Sequence, residues 1–196
     1  MNLPNKLTIF RIILVPIMVI IPFLGIKGEF FGIPIEYWTI DFIFIIASLT
    51  DKLDGYLARK NNQITTFGKF LDPLADKILV LTAMIMLVEM GKLPAWIPII
   101  VLAREFLVSG YRLIAIEKGG KVIAASNWGK LKTVTQMFAI ILAFVDLHSF
   151  GECFTGNLVG GAFCLNFIVT IMMIIQIIAT IFSGVDYMKG AKELMK

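Results

Sequence analysis

Four aspartates, Asp51, Asp54, Asp72 and Asp76, stand beside and partly inside apolar helical sequence. A carboxylate in such surroundings is costly unless something positive pairs with it. On a helix, Asp51 and Asp54 are i and i+3 and share a face, and Asp72 and Asp76 are i and i+4 and do likewise. Two helices presenting two carboxylates each form a cage of hard oxygen ligands. Such a cage suits two divalent cations, Mg²⁺ or Mn²⁺, better than a softer metal.

Small residues share the acid faces. Asp51, Asp54, Gly55 and Ala58 follow an i, i+3, i+4, i+7 stripe, and Gly68, Asp72 and Asp76 recur at four-residue steps. A stripe that alternates carboxylates with missing side chains lets a bulky ligand lie close to the backbone while its oxygens reach metal. Arg59 adds a fixed cation matched to phosphate. The plainer alternative has the small residues packing helices and the aspartates capping them or pairing with Lys52, Lys69 and Lys77. Each residue fits that alternative singly; the constellation as a whole fits it poorly.

The elements that position these groups follow from composition. Of 196 residues, 58% are hydrophobic, and the mean hydropathy is +0.87, above what a soluble domain of this length can bury. An all-α integral membrane bundle is expected, with six spans near residues 8–26, 35–57, 73–91, 94–116, 128–147 and 159–183. The acidic motif occupies the inner ends of the second and third spans, and Pro73 should start or kink the third. The first span, with Lys6 and Arg11 ahead of its apolar run, lacks the small-residue pattern of a cleaved signal peptide. Without an internal repeat or linker, residues 1–196 read as one domain. Cys153 and Cys164 are too few for a disulfide framework and read as packing residues.

With these spans, every Lys and Arg except Lys27 and Lys92 falls on one side. That asymmetry predicts cytosolic termini and a cytosol-facing acidic motif. Tyr37, Trp38 and Trp96 would then mark the outer interface and Trp128 the inner one. A net charge of +4 reads as a basic rim facing anionic lipid; no aromatic–basic interleaving points to nucleic acid.

A second polar set lies later in the chain. Arg104 and Glu105 sit mid-span, where an arginine needs a partner or a wet cavity, and an ion pair with Glu105 or Asp41 would supply one. Arg112, Lys130 and Lys132 fall toward the cytosolic rim with no obvious matching acids, and Ser126, Thr133 and Gln136 add neutral hydrogen-bonding groups. Unmatched cations ask for an anion, and a phosphate-bearing acceptor fits. Solvation among lipid headgroups is the plainer reading, and it suits Lys118 and Lys121 better.

The interval D-x₂-D-G-x₂-A-R-x₈-G-x₃-D-x₃-D from Asp51 to Asp76 resembles the signature of the CDP-alcohol phosphotransferase family, without departure at any fixed position. Three further segments are similar to the bacterial branch that makes phosphatidylglycerophosphate: Asn2 to Arg11, Ala103 to Arg112, and Ser126 to Thr133. The resemblance covers nearly the whole chain and is looser outside the signature. It implies Asp51, Asp54 and Asp72 as principal metal ligands, with Asp76 as general base and possible further ligand. It also implies that Asn5, Thr8, Gly55, Ala58, Arg59 and Gly68 bind the CDP moiety, and that Arg112, Lys130 and Lys132 hold the acceptor phosphate. The implied reaction is attack by the 1-hydroxyl of sn-glycerol 3-phosphate on CDP-diacylglycerol, giving phosphatidylglycerophosphate and CMP at a bacterial plasma membrane. Two metal ions ~3.5–4 Å apart can stabilise both the attacking and the leaving oxygen of such a displacement. Family members are commonly homodimers, and Gly160-Gly161 offers one possible helix contact.

Sister enzymes use inositol phosphate, serine, choline, ethanolamine or phosphatidylglycerol with the same signature, so the acceptor stays open on residues alone. An intramembrane prenyltransferase also holds diphosphate with aspartates and Mg²⁺, but its Asp-rich clusters lack the intervening Gly55, Ala58, Arg59 and Gly68. A cation transporter would spread its carboxylates across the midplane rather than gather them at helix ends.

Overall fold

The computed structural model describes residues 3–60, 66–117 and 127–194, with side chains described for 5–51, 68, 71–111 and 128–189. Six long helices dominate these residues: α1 (Leu3–Ile20), α2 (Ile35–Lys60), α3 (Thr66–Glu89), α4 (Trp96–Glu117), α5 (Asn127–Val145) and α6 (Gly160–Leu194). Each overlaps one of the six expected segments, within seven residues at every end except the last, where α6 runs on to Leu194 rather than stopping near residue 183. Two short 3₁₀ turns, Ile21–Leu24 and Glu152–Thr155, and two short strands, β1 (Glu29–Phe30) and β2 (Ile33–Pro34), complete the elements of the described residues.

Two expectations are corrected. The third helix does not start at Pro73; it starts at Thr66 and carries Pro73 inside it. Proline forfeits only its own amide bond and crowds one preceding carbonyl. The turns ahead of it are held from outside, because α1 packs along α3 and Thr8 bonds Asp72. Nor does Arg11 precede the first apolar helix. It lies within α1 and is fully buried.

The helices divide between two compact units, Met1–Met90 with Ile140–Leu147, and Gly91–Ala139 with His148–Lys196. In the first unit α1 lies against both α2 and α3, which touch each other less. Its core includes Met18, Phe44, Leu79, Met84, Ile140 and Phe144, with Phe44 and Phe144 rings 6.5 Å apart. Buried Ala47, Ala75 and Ala83 keep the helices close. A hairpin leads into α2, pairing Glu29 with Pro34 and Phe30 with Ile33. Its two turn residues, Phe31 and Gly32, both have positive φ (56° and 74°), as a tight turn matched to strand twist requires. The Trp38 indole donates to the Phe30 carbonyl at 3.0 Å, tying the hairpin to the first turns of α2.

In the second unit α4 packs along α6. Asn166 of α6 accepts the Cys153 amide at 2.8 Å and donates to the Ser149 carbonyl at 3.0 Å, fastening the 3₁₀ segment to the helix. Both cysteines are free thiols; Cys153 is buried as a packing residue should be, whereas Cys164 is exposed.

Polarity is turned inside out relative to a soluble bundle. Exposed large apolar side chains occur on every helix, among them Phe10, Phe42, Ile85, Phe106, Phe138 and Phe182. Thr8, Arg11, Asp41, Gln136, Gln176 and Ser183 are buried instead. Lipid tolerates the first set, while the second must find partners within the protein. Among the described residues, Asn5–Leu24, Trp128–Val145 and Gly160–Lys189 are long and apolar enough to cross a membrane. The protein is a membrane-associated helical protein.

Candidate active site

Each acid pair lies on a continuous helix. Asp51 and Asp54 belong to α2, which runs unbroken through the motif to Lys60; Gly68, Asp72 and Asp76 belong to α3. Helical spacing puts each pair on one face. The side chains of Asp54, Gly55, Ala58 and Arg59 lie outside the described residues, as does that of Arg112.

Two of the described acids, Asp51 and Asp72, meet α1. Arg11 donates from its guanidinium to Asp51 Oδ1 at 2.7 Å, with Arg11 wholly buried and the Asp51 side chain 35% exposed. Thr8 donates its hydroxyl to Asp72 Oδ1 at 2.6 Å. Thr8 and Arg11 are three residues apart on α1 and so face the same way. Both acid helices therefore bring an acid to one face of α1. Asn5 is buried one turn earlier, and Gly68 is buried on α3. Asp76 is half-buried, one helical turn beyond Asp72.

The donor chemistry fits a hard divalent cation. Asp51, Asp72 and Asp76 offer only oxygens, and a carboxylate that accepts one bond keeps most of its roughly four acceptor sites. Asp51 remains partly open, so the acids are not sealed into a dry core. Among the described residues, no three His, Cys, Asp or Glu side chains already converge as a metal set.

The second unit holds the other polar cluster. The Arg104 guanidinium donates to Glu105 Oε1 at 2.9 Å and to Ser183 Oγ, and lies 5.7 Å from the centre of the Tyr187 ring. Arg104 thus takes Glu105, one of the two partners its sequence offered. Lys132 Nζ meets the same Glu105 oxygen at 2.8 Å, and its side chain is only 8% exposed. The expectation that Lys132 lacks a matching acid is therefore corrected. Glu105 is 27 residues away on α4 and is reached only through the packing of helices. Lys130 is exposed on α5, and Thr133 donates to the Gly129 carbonyl of its own helix at 3.0 Å.

Sequence reasoning missed two groups: Arg11, counted as a flanking positive charge, and Glu105 in its bond to Lys132. A signal for Arg11 was present, since it follows Thr8 by three residues and stands among apolar neighbours on both sides.

Comparisons with known proteins identify the family of the chain. A family model described as CDP-alcohol phosphatidyltransferase matches residues 1–183. A Bacillus subtilis (strain 168) protein named CDP-diacylglycerol–glycerol-3-phosphate 3-phosphatidyltransferase is 49% identical over 146 residues, covering 71% of this chain and 74% of that one. A Haemophilus influenzae protein of the same name is 38% identical over 195 residues, covering 97% and 94%. A Mycobacterium tuberculosis (strain CDC 1551 / Oshkosh) protein named probable phosphatidylglycerophosphate synthase is 37% identical over 190 residues, covering 97% and 81%. On the family match and on relatives that align along nearly its full length, this chain belongs to the CDP-alcohol phosphatidyltransferase family.

Proposed function

We propose that the protein transfers the phosphatidyl group of CDP-diacylglycerol to the 1-hydroxyl of sn-glycerol 3-phosphate, releasing CMP. The observation that carries this reading is the unbroken placement of the acid pairs on α2 and α3, with Asp51 and Asp72 both tied to α1. The names of the relatives supply the substrates. Two divalent cations, Mg²⁺ or Mn²⁺, bound at Asp51, Asp54, Asp72 and Asp76, would supply neutralisation of the pyrophosphate charge.

The protein's own residues do the rest. Asn5, Gly55, Ala58, Arg59 and Gly68 bind the CDP moiety, the small ones by leaving room beside the helix backbones; Thr8, implied there too, donates its hydroxyl to Asp72. Asp76 accepts the proton of the acceptor hydroxyl as that oxygen bonds to the diacylglycerol-linked phosphorus. The phosphorus–oxygen bond to CMP breaks, and the leaving phosphate is matched by the fixed cation of Arg59. Arg112, Lys130 and Lys132 hold the acceptor's own phosphate, with Glu105 setting the Lys132 ammonium in place.

The remaining assignments form one picture. All six helices cross a bacterial plasma membrane, with termini and acids on the cytosolic side. Residues 1–196 work as one functional domain, and two copies associate. The lipid tails of the donor enter from the inner leaflet.

Purified protein in detergent tests the reaction. Labelled CDP-diacylglycerol is offered with glycerol 3-phosphate, inositol phosphate, serine and phosphatidylglycerol in turn. Metal-dependent CMP release with glycerol 3-phosphate alone is expected. Release with another acceptor reassigns the substrate, and pyrophosphate release or no chemistry overturns the reaction class.

A further inference from the structure

Two contacts on the first helix support the reading above without taking a step in its chemistry: Thr8 to Asp72 at 2.6 Å and Arg11 to Asp51 at 2.7 Å. They span 64 and 40 residues of sequence, yet their donors are neighbours on one face of α1. Each donor takes Oδ1 of the first acid of its pair, one on α2 and one on α3.

A carboxylate on a helix turns about its side-chain torsions, and a ligand that turns binds metal weakly because the bound rotamer must be selected each time. One hydrogen bond to one oxygen removes that freedom and leaves the remaining lone pairs to a cation. Outer hydrogen bonds of this kind commonly orient metal-ligating side chains. Arg11 does more than orient. It is fully buried in an otherwise apolar stretch of helix, a place an arginine keeps only with a partner. With four acids on two adjacent helices, a buried guanidinium also offsets their mutual repulsion before any cation arrives.

We propose that Thr8 and Arg11 are positioning residues for the metal site, fixing Asp72 and Asp51 so that α1 sets the ligand geometry of α2 and α3. This rests on the reading that the acid pairs hold divalent cations. Thr8 acts on the acid rather than on the nucleotide, and the two roles separate by measurement.

The test is Mn²⁺ binding to the purified full chain in detergent, followed by the loss of free-ion paramagnetic signal, with CDP binding measured alongside. Charge is kept constant by choosing Thr8→Val, Thr8→Ser and Arg11→Lys. Thr8→Val and Arg11→Lys should each weaken Mn²⁺ binding about 10-fold. Thr8→Ser, which keeps the hydroxyl, should restore it to within about twofold of the parent. Affinities are scored on the monodisperse fraction, so a purely structural defect lowers yield and leaves the constant unchanged. Should Arg11→Lys fail to fold, Thr8→Val decides alone. Unchanged Mn²⁺ affinity in the folded variants overturns the proposal, as does a Thr8→Val protein that loses CDP affinity while keeping Mn²⁺. A parent protein that binds no Mn²⁺ sinks the metal reading itself and takes this inference with it.

Discussion

Lys132 and Glu105 form a 2.8 Å ion pair between α5 and α4, and Arg104 shares the same carboxylate oxygen at 2.9 Å. One acid serves two cations, so the trio keeps one positive charge in a site where all three side chains are at most 16% exposed. Changing Glu105→Gln leaves two poorly hydrated cations facing each other. The expected cost is on the order of 3 kcal/mol, the low end for breaking a buried pair. Thermal unfolding in detergent should show that loss. The double change Glu105→Gln with Lys132→Met should recover part of it, because one cation has gone with the acid.

The same pair separates two kinds of kinetic effect. Lys132→Met or Lys130→Met should raise the KM for glycerol 3-phosphate far more than the KM for CDP-diacylglycerol. Equal changes for both substrates would remove these lysines from the acceptor. Lys130, being exposed, should act without any change in melting temperature.

Chelation should abolish CMP release, and added Mg²⁺ or Mn²⁺ should restore it. Asp51→Asn and Asp72→Asn should each lower turnover at least about 100-fold. Neither loss should yield to higher substrate concentration. Activity that survives thorough chelation would contradict a metal-held pyrophosphate.

Asp76→Asn keeps the shape of the side chain and removes its capacity to take a proton. Nucleotide binding should stay close to that of the parent while turnover is lost. Retained turnover would take Asp76 out of the base role and leave it at most a metal ligand.

Backbone conformation predicts opposite effects at two glycines. Gly91 closes α3 with φ of 73°, and a side chain there meets open space, so strain alone sets its cost. Gly91→Val should destabilise by about 1–2 kcal/mol. Gly110 lies inside α4 without positive φ and also faces open space. Gly110→Ala should be neutral or stabilise by about 0.5–1 kcal/mol. Paired melting curves check both.

Helix positions were legible because apolar runs of this length have few other fates; all six helices overlap the segments read from composition, although α6 continues well past the expected end. The acid motif was legible because its spacing is local, within two helices. Pro73 misled because a residue-level rule was applied where tertiary contact to α1 decides the helix start. Arg11 and Glu105 were misread for a related reason. Their partners lie 40 and 27 residues away, and charge along a sequence does not say which charges will meet. The hairpin at Phe31 and Gly32 carries a single glycine as its cue, too little to distinguish it from an ordinary loop.

The first helix contributes no acid to the signature, yet it touches both helices that do. The signature is therefore not a portable cassette. Grafting residues 51–76 into another bundle would carry every motif carboxylate and leave behind the hydroxyl and guanidinium that hold two of them. A transplant that keeps those two bonds must begin before Thr8 and run through α3, and because Ile140 and Phe144 of α5 belong to the same core, α1 to α3 alone would leave that core incomplete.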